Sequence, residues 1–274
     1  MEIKFENVSY SINKGTSLEK IILDNVSFEI KDYGIYSFVG ASNSGKSAIG
    51  DLLNSLINPT SGKVIIKDNR GKINKINSLR FNVGYVFSNP YDMFFHDTVR
   101  DEINYSVKEF KYKTCMKIED ALLLVGLDES YLDLNPMILD IVDARKIALL
   151  CVLIYNPNII ILDDFTNGLG YNDKKELERL LRLLKNKYKM TIILLTKDTD
   201  FSYKVSDCVY LMHQAKIISS GDRELLTDEE LLMTLDLEIP KIVSFINECK
   251  KKNHDIDYYT NIHDLIKGVY RDVF

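Results

Sequence analysis

Alternating and clustered apolar positions open the chain. Residues 2–9 and 20–30 (EIKFENVS and KIILDNVSFEI) are rich in β-formers, and the spacing predicts two strands joined by the loop SINKGTSLE. GIYSFVG at 34–40 reads as a third strand, and KSAIGDLLNSL at 46–56 places apolar residues at helical spacing. The turn cluster Asn58-Pro59-Thr60-Ser61-Gly62 precedes two more short strands, KVIIK at 63–67 and NVGYVF at 82–87. From about 90 to 156 the pattern becomes helical, carried by TVRDEINYSV, CMKIEDALLLVGL and DARKIALLCVLIY. Strand character returns in NIIILDD at 158–164 and TIILL at 191–195, with the amphipathic helix KKELERLLRLLKNKY between them. Continuously apolar strands separated by helices predict a parallel sheet covered on both faces, an α/β fold. The tail from about 222 is helical and lysine-rich and reads as a packing or dimer-contact appendage. No repeat, low-complexity tract or heptad run interrupts the pattern.

Composition narrows the class of protein. The 274 residues hold one large domain or two small ones, with ample core. A net charge of −5 argues against a broad nucleic-acid footprint, and no nucleic-acid partner is expected. Cys115, Cys151, Cys208 and Cys249 stand far apart without metal-type pairing, which favours reduced thiols in a cytosolic compartment. MEIKFENVSY carries acidic residues and no apolar h-region, so no signal peptide is expected. ALLCVLIY at 148–155 is too short to cross a bilayer, so any work at a membrane would run through a partner.

Two segments carry chemistry. Residues 40–47, GASNSGKS, satisfy every fixed position of the phosphate-loop pattern G-x-x-x-x-G-K-[ST], between an apolar strand and a helix. The amides of Gly40, Ala41, Ser42, Asn43, Ser44 and Gly45, with the helix N-terminus behind them, are expected to cradle phosphates. Lys46 supplies a point charge, and the Ser47 hydroxyl a ligand for Mg²⁺. NIIILDD then delivers Asp163 at the C-terminal end of a buried strand, where it would hold Mg²⁺ opposite Ser47. A helix-capping aspartate is the plainer reading of the same residue.

With these two elements placed, the chain resembles an ABC-type ATPase, and more narrowly the ATP-binding subunits of energy-coupling factor (ECF) transporters. IKFENVSYSINKGT, LDNVSFEI, PTSGKVIIKD, VGYVFSNPYDMFF, NPNIIILDDFTNGLG and KIISSG stand in the expected order over nearly the whole length. The resemblance implies a P-loop NTPase (RecA-like) parallel sheet with an antiparallel β subdomain and an inserted helical subdomain at about 90–156. These make up a nucleotide-binding domain over 1–230, with a small helical C-terminal extension over 231–274. It implies ATP and Mg²⁺ as cofactors and a head-to-tail dimer with a second ABC ATPase, a heterodimer in preference to a homodimer. It further implies a transmembrane coupling subunit and a substrate-binding membrane protein as partners. The chain would then sit peripherally on the cytoplasmic side of the cell membrane, driving uptake of a vitamin or metal ion. Aromatic and methionine residues of FSNPYDMFF suit contact with the membrane subunit, and equally suit the core.

The departures from the family pattern concern catalysis. Its signature, LSGGQ before a basic pair, falls just upstream of Arg145-Lys146, where this chain has Leu139, Asp140, Ile141, Val142 and Asp143. No glycine occurs between Gly126 and Gly168, so no shift of register restores it. β-Branched residues restrict close backbone approach, and a carboxylate repels a phosphate. Asp140 also reads as the N-cap of the following helix, with loss of phosphate contact as the consequence. Asp164 replaces the family's catalytic glutamate with a side chain one methylene shorter. Lys197 replaces the switch histidine, and none of His96, His213, His254 or His263 matches that position. Ser88 stands for the Q-loop glutamine, Gly170 for the aspartate of the GLD turn, and Ala48 for the hydroxyl residue after Ser47. Ile12 occupies the place of the adenine-stacking aromatic, with Tyr10 close enough to compensate. The expectation is a subunit that binds MgATP with impaired hydrolysis of its own. A non-hydrolysing, ATP-gated structural or regulatory module of a membrane complex is the alternative left open. Soluble ABC proteins acting on DNA or ribosomes fit poorly, since the chain has one phosphate loop and no heptads.

Overall fold

The computed structural model describes residues 2–67, 82–110, 117–252, 254 and 256–273. Strands β1 (Glu2–Ile12) and β2 (Lys20–Ile30) pair antiparallel, with Ile3 opposite Ile30 and Phe5 opposite Phe28. β1 therefore runs through Ser11 and Ile12, which the sequence reading assigned to the loop. β3 (Ile35–Gly40) leads into helix α1 (Lys46–Leu53), and β4 (Ser61–Lys67) returns to pair with β1, giving a three-stranded sheet in the order β2-β1-β4. α1 stops three residues before the expected Leu56. Asn54 closes it, Ser55 turns left-handed at φ 56°, and the Leu56 amide reaches back to the Asp51 carbonyl. A left-handed residue with a hydrogen bond back to the last turn is a common way for a helix to end.

The helical stretch follows β5 (Val83–Val86) and comprises α2 (Val99–Phe110), α3 (Ile118–Leu124) and α4 (Ile141–Leu153), with short 3₁₀ turns at Pro90–Met93, Glu129–Tyr131 and Pro136–Ile138. The CMK that opens the second expected helix lies partly outside the described residues. β6 (Ile159–Asp163), α5 (Tyr171–Tyr188), β7 (Thr191–Thr196), α6 (Thr199–Val205), β8 (Cys208–His213) and β9 (Lys216–Gly221) complete the larger sheet, whose order is β5-β6-β7-β3-β8-β9. All its pairings are parallel except β8–β9. The exception is a hairpin whose two loop residues, Gln214 and Ala215, have φ of 45° and 68°. Left-handed backbone at both positions is what a two-residue hairpin needs, but these residue types give no sign of it.

Apolar rows explain the layering. Phe5 stacks on Phe28 at 4.3 Å, and Phe28 meets Phe38 of β3 edge-on at 4.9 Å, so the small sheet packs onto the large one beside α1. The opposite face of the large sheet is covered by α4 and α5, and the helical stretch packs outward from α4. α7 (Glu229–Thr234) and the start of α8 (Lys241–Lys251) bury Leu226, Leu232, Leu235 and Val243 against β8 and α6. α9 (Ile262–Val273) forms a smaller cluster with the end of α8 through Leu265, Ile246 and Ile256.

Candidate functional site

The site forms where β3, β6 and β7, adjacent in the sheet, release the chain at their C-terminal ends. Between β3 and α1 the loop turns within five residues, and two glycines, Gly40 and Gly45, make this possible. A Cβ on Gly40 would lie 2.5 Å from the Met212 carbonyl oxygen and from Ser44 Oγ. Gly45 has φ 103°, and a Cβ there would meet the Ile22 carbonyl at 2.6 Å. Asn43 supplies a further left-handed turn at φ 64°, which Asn tolerates better than most residues. Gly45 is also the N-cap of α1 and makes no side-chain cap, and no acidic residue occupies the first turn. The first amides of α1 are thus left to an anion, and the helix dipole favours one.

Lys46 folds across this loop. Its buried ammonium donates to the carbonyls of Gly40 and Ala41, each at 2.8 Å, and to Ser44 Oγ at 3.4 Å. Burial lowers its pKa, while the carboxylates of Asp164 and Asp163 oppose that shift. Ser47 is exposed at the start of the helix, whereas the Ala48 methyl is buried in the core between the sheets and is not presented to a ligand.

Asp163 ends β6 beside Leu195 of β7 and is only 4% exposed. Its Oδ2 accepts a hydrogen bond from the Tyr85 hydroxyl at 3.2 Å, and its Oδ1 is buried without a protein partner. Burial pushes this carboxyl above its ordinary range, with the Ser47 hydroxyl the leading opposing influence. A buried, half-satisfied carboxylate beside a serine hydroxyl fits Mg²⁺, which takes few protein ligands and otherwise keeps water and phosphate oxygens. Bound there, the ion would supply charge neutralisation for phosphates.

Asp164 follows with φ 43°, half-buried, its amide bonded to the Leu195 carbonyl at 2.8 Å and its carbonyl accepting from Asn167 at 3.0 Å. Lys197 is exposed just beyond β7 and acts electrostatically on Lys46. Lys46, Ser47, Asp163, Asp164 and Lys197 therefore converge. Tyr10 lies half-buried on the small sheet opposite Leu23, and Ile12 is exposed.

The segment 139–143 is occupied locally. The Asp140 carboxylate caps α4, accepting from the amides of Val142 at 2.9 Å and Asp143 at 3.0 Å. Asp143 accepts from the Tyr131 hydroxyl at 2.7 Å, and the Leu139 carbonyl accepts from Tyr91 at 2.8 Å. Ile141 and Val142 are half-buried. No hydrogen bond or ion pair among the described residues ties this segment to the phosphate loop. Ser88 is exposed, and its carbonyl accepts from Arg145 Nη2 at 3.3 Å. Arg145 also donates from Nη1 to the Asn167 carbonyl, so one buried guanidinium joins α4, residue 88 and the turn after β6. Gly170 caps α5 through its amide, which donates to Asp173 at 3.3 Å.

Sequence reading passed over Arg145, Tyr85 and Glu102 as site residues. Glu102 is 3% exposed and accepts from the amides of Phe95 and His96 beside a cavity of about 350 Å³. Met93, Phe95 and Tyr105 line that cavity. The open choice over FSNPYDMFF divides there, since Phe94 is buried and Phe95 is 79% exposed.

The ABC transporter family pattern matches residues 23–167. The energy-coupling factor transporter ATP-binding protein EcfA2 of Streptococcus agalactiae serotype Ia is 35% identical over 262 residues, 92% of each chain. Its namesake from Clostridium acetobutylicum is 31% identical over 263 residues, 93% of this chain and 92% of its own. Among solved structures, cbiO1 from Clostridium perfringens, described as part of the ABC transporter complex cbiONQ, superposes with a TM-score of 0.69 at 24% identity, covering 89% of this chain and 98% of its own. A dimeric ATP-binding cassette in a post-hydrolysis state with ADP and Pi gives a TM-score of 0.70 at 23% identity over 81% and 98%. These two likenesses carry the fold: a P-loop NTPase cassette.

Proposed function

Because the chain belongs to the ABC transporter family, among the energy-coupling factor ATP-binding proteins, we propose that it binds MgATP as one ATPase subunit of an ECF-type importer. The observation that carries this reading is the convergence of Lys46, Ser47 and Asp163, with Asp163 Oδ1 buried and unpartnered. Lys46 and the first amides of α1 would hold the phosphates, and Ser47 and Asp163 the metal. No described helix is long and apolar enough to cross a membrane. The subunit would act peripherally on the cytoplasmic face, through a coupling subunit seated at the cavity beside Phe95, in uptake of a vitamin or metal ion.

Its own hydrolysis is impaired in this reading. In a head-to-tail dimer, residues 139–143 would face the partner's phosphates. Here the amides of Val142 and Asp143 are already bonded to the Asp140 carboxylate, which would itself repel an anion. Asp164 and Lys197 provide a shortened carboxylate and a donor-only cation where a base and a histidine serve the family. A heterodimer with a better-equipped ATPase follows.

The test measures ATP affinity by calorimetry, with and without Mg²⁺, and phosphate release by the chain alone and in its native complex. Mg²⁺-dependent binding is expected, with turnover by the isolated chain about 10²-fold or more below the complex, the scale set by losing one stabilising donor. Turnover by the isolated chain as fast as that of an active complex would refute impaired hydrolysis. Absence of binding would refute the nucleotide site. Binding without turnover in either state would favour the ATP-gated module over a motor.

A further inference from the structure

Tyr85 belongs to neither of the motifs that mark the site, yet its hydroxyl reaches the carboxylate at its centre. It lies in β5, at one edge of the large sheet, with Tyr85 opposite Ile161 of β6. That register leaves the ring two residues short of the end of β6, and the phenol spans the gap to donate to Asp163 Oδ2. The ring has little freedom. It is 5% exposed and packs edge-on against Phe87 at 4.9 Å. Its hydroxyl also faces Asp51, half-buried on α1 one turn beyond Ser47. Gly50 leaves room for it, since a Cβ there would sit 2.8 Å from the hydroxyl and 2.9 Å from Leu195 Cδ1.

A carboxylate turns easily about its last torsion, so which oxygen meets a ligand depends on what restrains the other. Here Oδ2 is held by the phenol and Oδ1 is the buried atom without a partner. Resting on the MgATP reading above, we infer that Tyr85 is a positioning residue for the metal: its hydroxyl fixes Asp163 so that Oδ1 is the oxygen offered to Mg²⁺ or to its water. Tyr85 acts on the metal site through Asp163, and Asp51 is the other carboxylate that its hydroxyl meets. Groups that orient a metal ligand from behind typically change metal affinity by 10–100-fold.

The experiment compares wild type with Tyr85→Phe, which keeps the ring and removes the hydroxyl. The probe is a non-hydrolysable ATP analogue, titrated once in EDTA and once in excess Mg²⁺. The wild-type chain gains affinity from Mg²⁺. In Tyr85→Phe the affinity in EDTA is expected to be unchanged, while the gain from Mg²⁺ falls about tenfold. Should that variant fail to fold, Gly50→Ala, which retains the hydroxyl but displaces it, is expected to lose the Mg²⁺ gain in the same way. A full Mg²⁺ gain in the folded variant overturns the positioning role and leaves MgATP binding standing. Equal loss in EDTA and in Mg²⁺ also overturns it, because a general structural role would produce that pattern. A wild-type chain that gains nothing from Mg²⁺ refutes the MgATP reading itself.

Discussion

Replacing Glu102 by glutamine removes one buried charge with almost no change of shape. Glu102 stands in the first turn of α2, and its Oε1 accepts from the amides of Phe95 and His96. Its Oε2 lies 3.3 Å from His96 Nδ1, which has no hydrogen-bond partner of its own. Hydrogen bonds to a charged group are worth about 1.5–3 kcal/mol each, against about 0.5–1.5 for neutral ones. Glutamine keeps a carbonyl acceptor but turns a donor towards the imidazole or the amides, and it removes the burden of burying a charge. The expected net loss is about 2 kcal/mol. For a chain of 274 residues that corresponds to a fall in Tm of roughly 3–4 °C. Glu102→Ala, which leaves two amides without an acceptor and opens space beside Ser106 and Cys151, is expected to lose about 3–5 kcal/mol. Thermal unfolding followed by circular dichroism measures both, and chymotrypsin cleavage at exposed Phe95 should rise in the same order. A Glu102→Gln variant within about 1 °C of wild type would refute the clamp, since the size scaling leaves no room for a 2 kcal/mol effect there.

Three further expectations concern groups around the site. Asp140→Ala loses the cap on α4 and should cost about 1 kcal/mol in urea unfolding, whereas Asp140→Ser, itself a good cap, should be nearly neutral. The Cys151 thiol is pushed up to about 12 by burial first and then by the Glu102 charge. Alkylation at mildly alkaline pH, read by mass spectrometry, should therefore leave Cys151 unmodified until the chain unfolds; rapid modification of the native protein would contradict its burial. Asp163 has a folded carboxyl pKa above its ordinary 3.8, so its contribution favours the fold below that value and is lost as pH rises through the folded pKa. Without nucleotide, Asp163→Asn should be more stable than wild type at neutral pH, with an advantage that shrinks as pH is lowered towards 4, and it should lose Mg²⁺-dependent ATP binding. Equal melting curves at both pH values would show that the carboxylate carries no burial penalty.

Much of the fold was legible in short windows. The phosphate loop, the three buried strands that end in the site and the cap at Asp140 each depend on residues within a few positions of one another. Backbone conformation and first-turn hydrogen bonds are local in the same way. The reading erred where local residue types gave no sign of the backbone they adopt. Ser55 takes left-handed φ and so α1 ends early, while Gln214 and Ala215, also left-handed, turn a hairpin for which the sequence offered no expectation.

The sequence by itself determined which chemical groups are present: the glycines, Lys46 and Ser47 of the loop, and a signature segment without glycine. Tertiary structure alone decided which of them meet. Tyr85 and Asp163 are 78 residues apart and touch only because β5 and β6 are neighbours in the sheet. Arg145 reaches residues 88 and 167, and Glu102 becomes a buried clamp, through the packing of α2 and α4 on that same sheet. Periodicity reports which face of an element is buried. It carries no information on which strand lies beside which, because that order is fixed by how whole apolar faces pack in three dimensions.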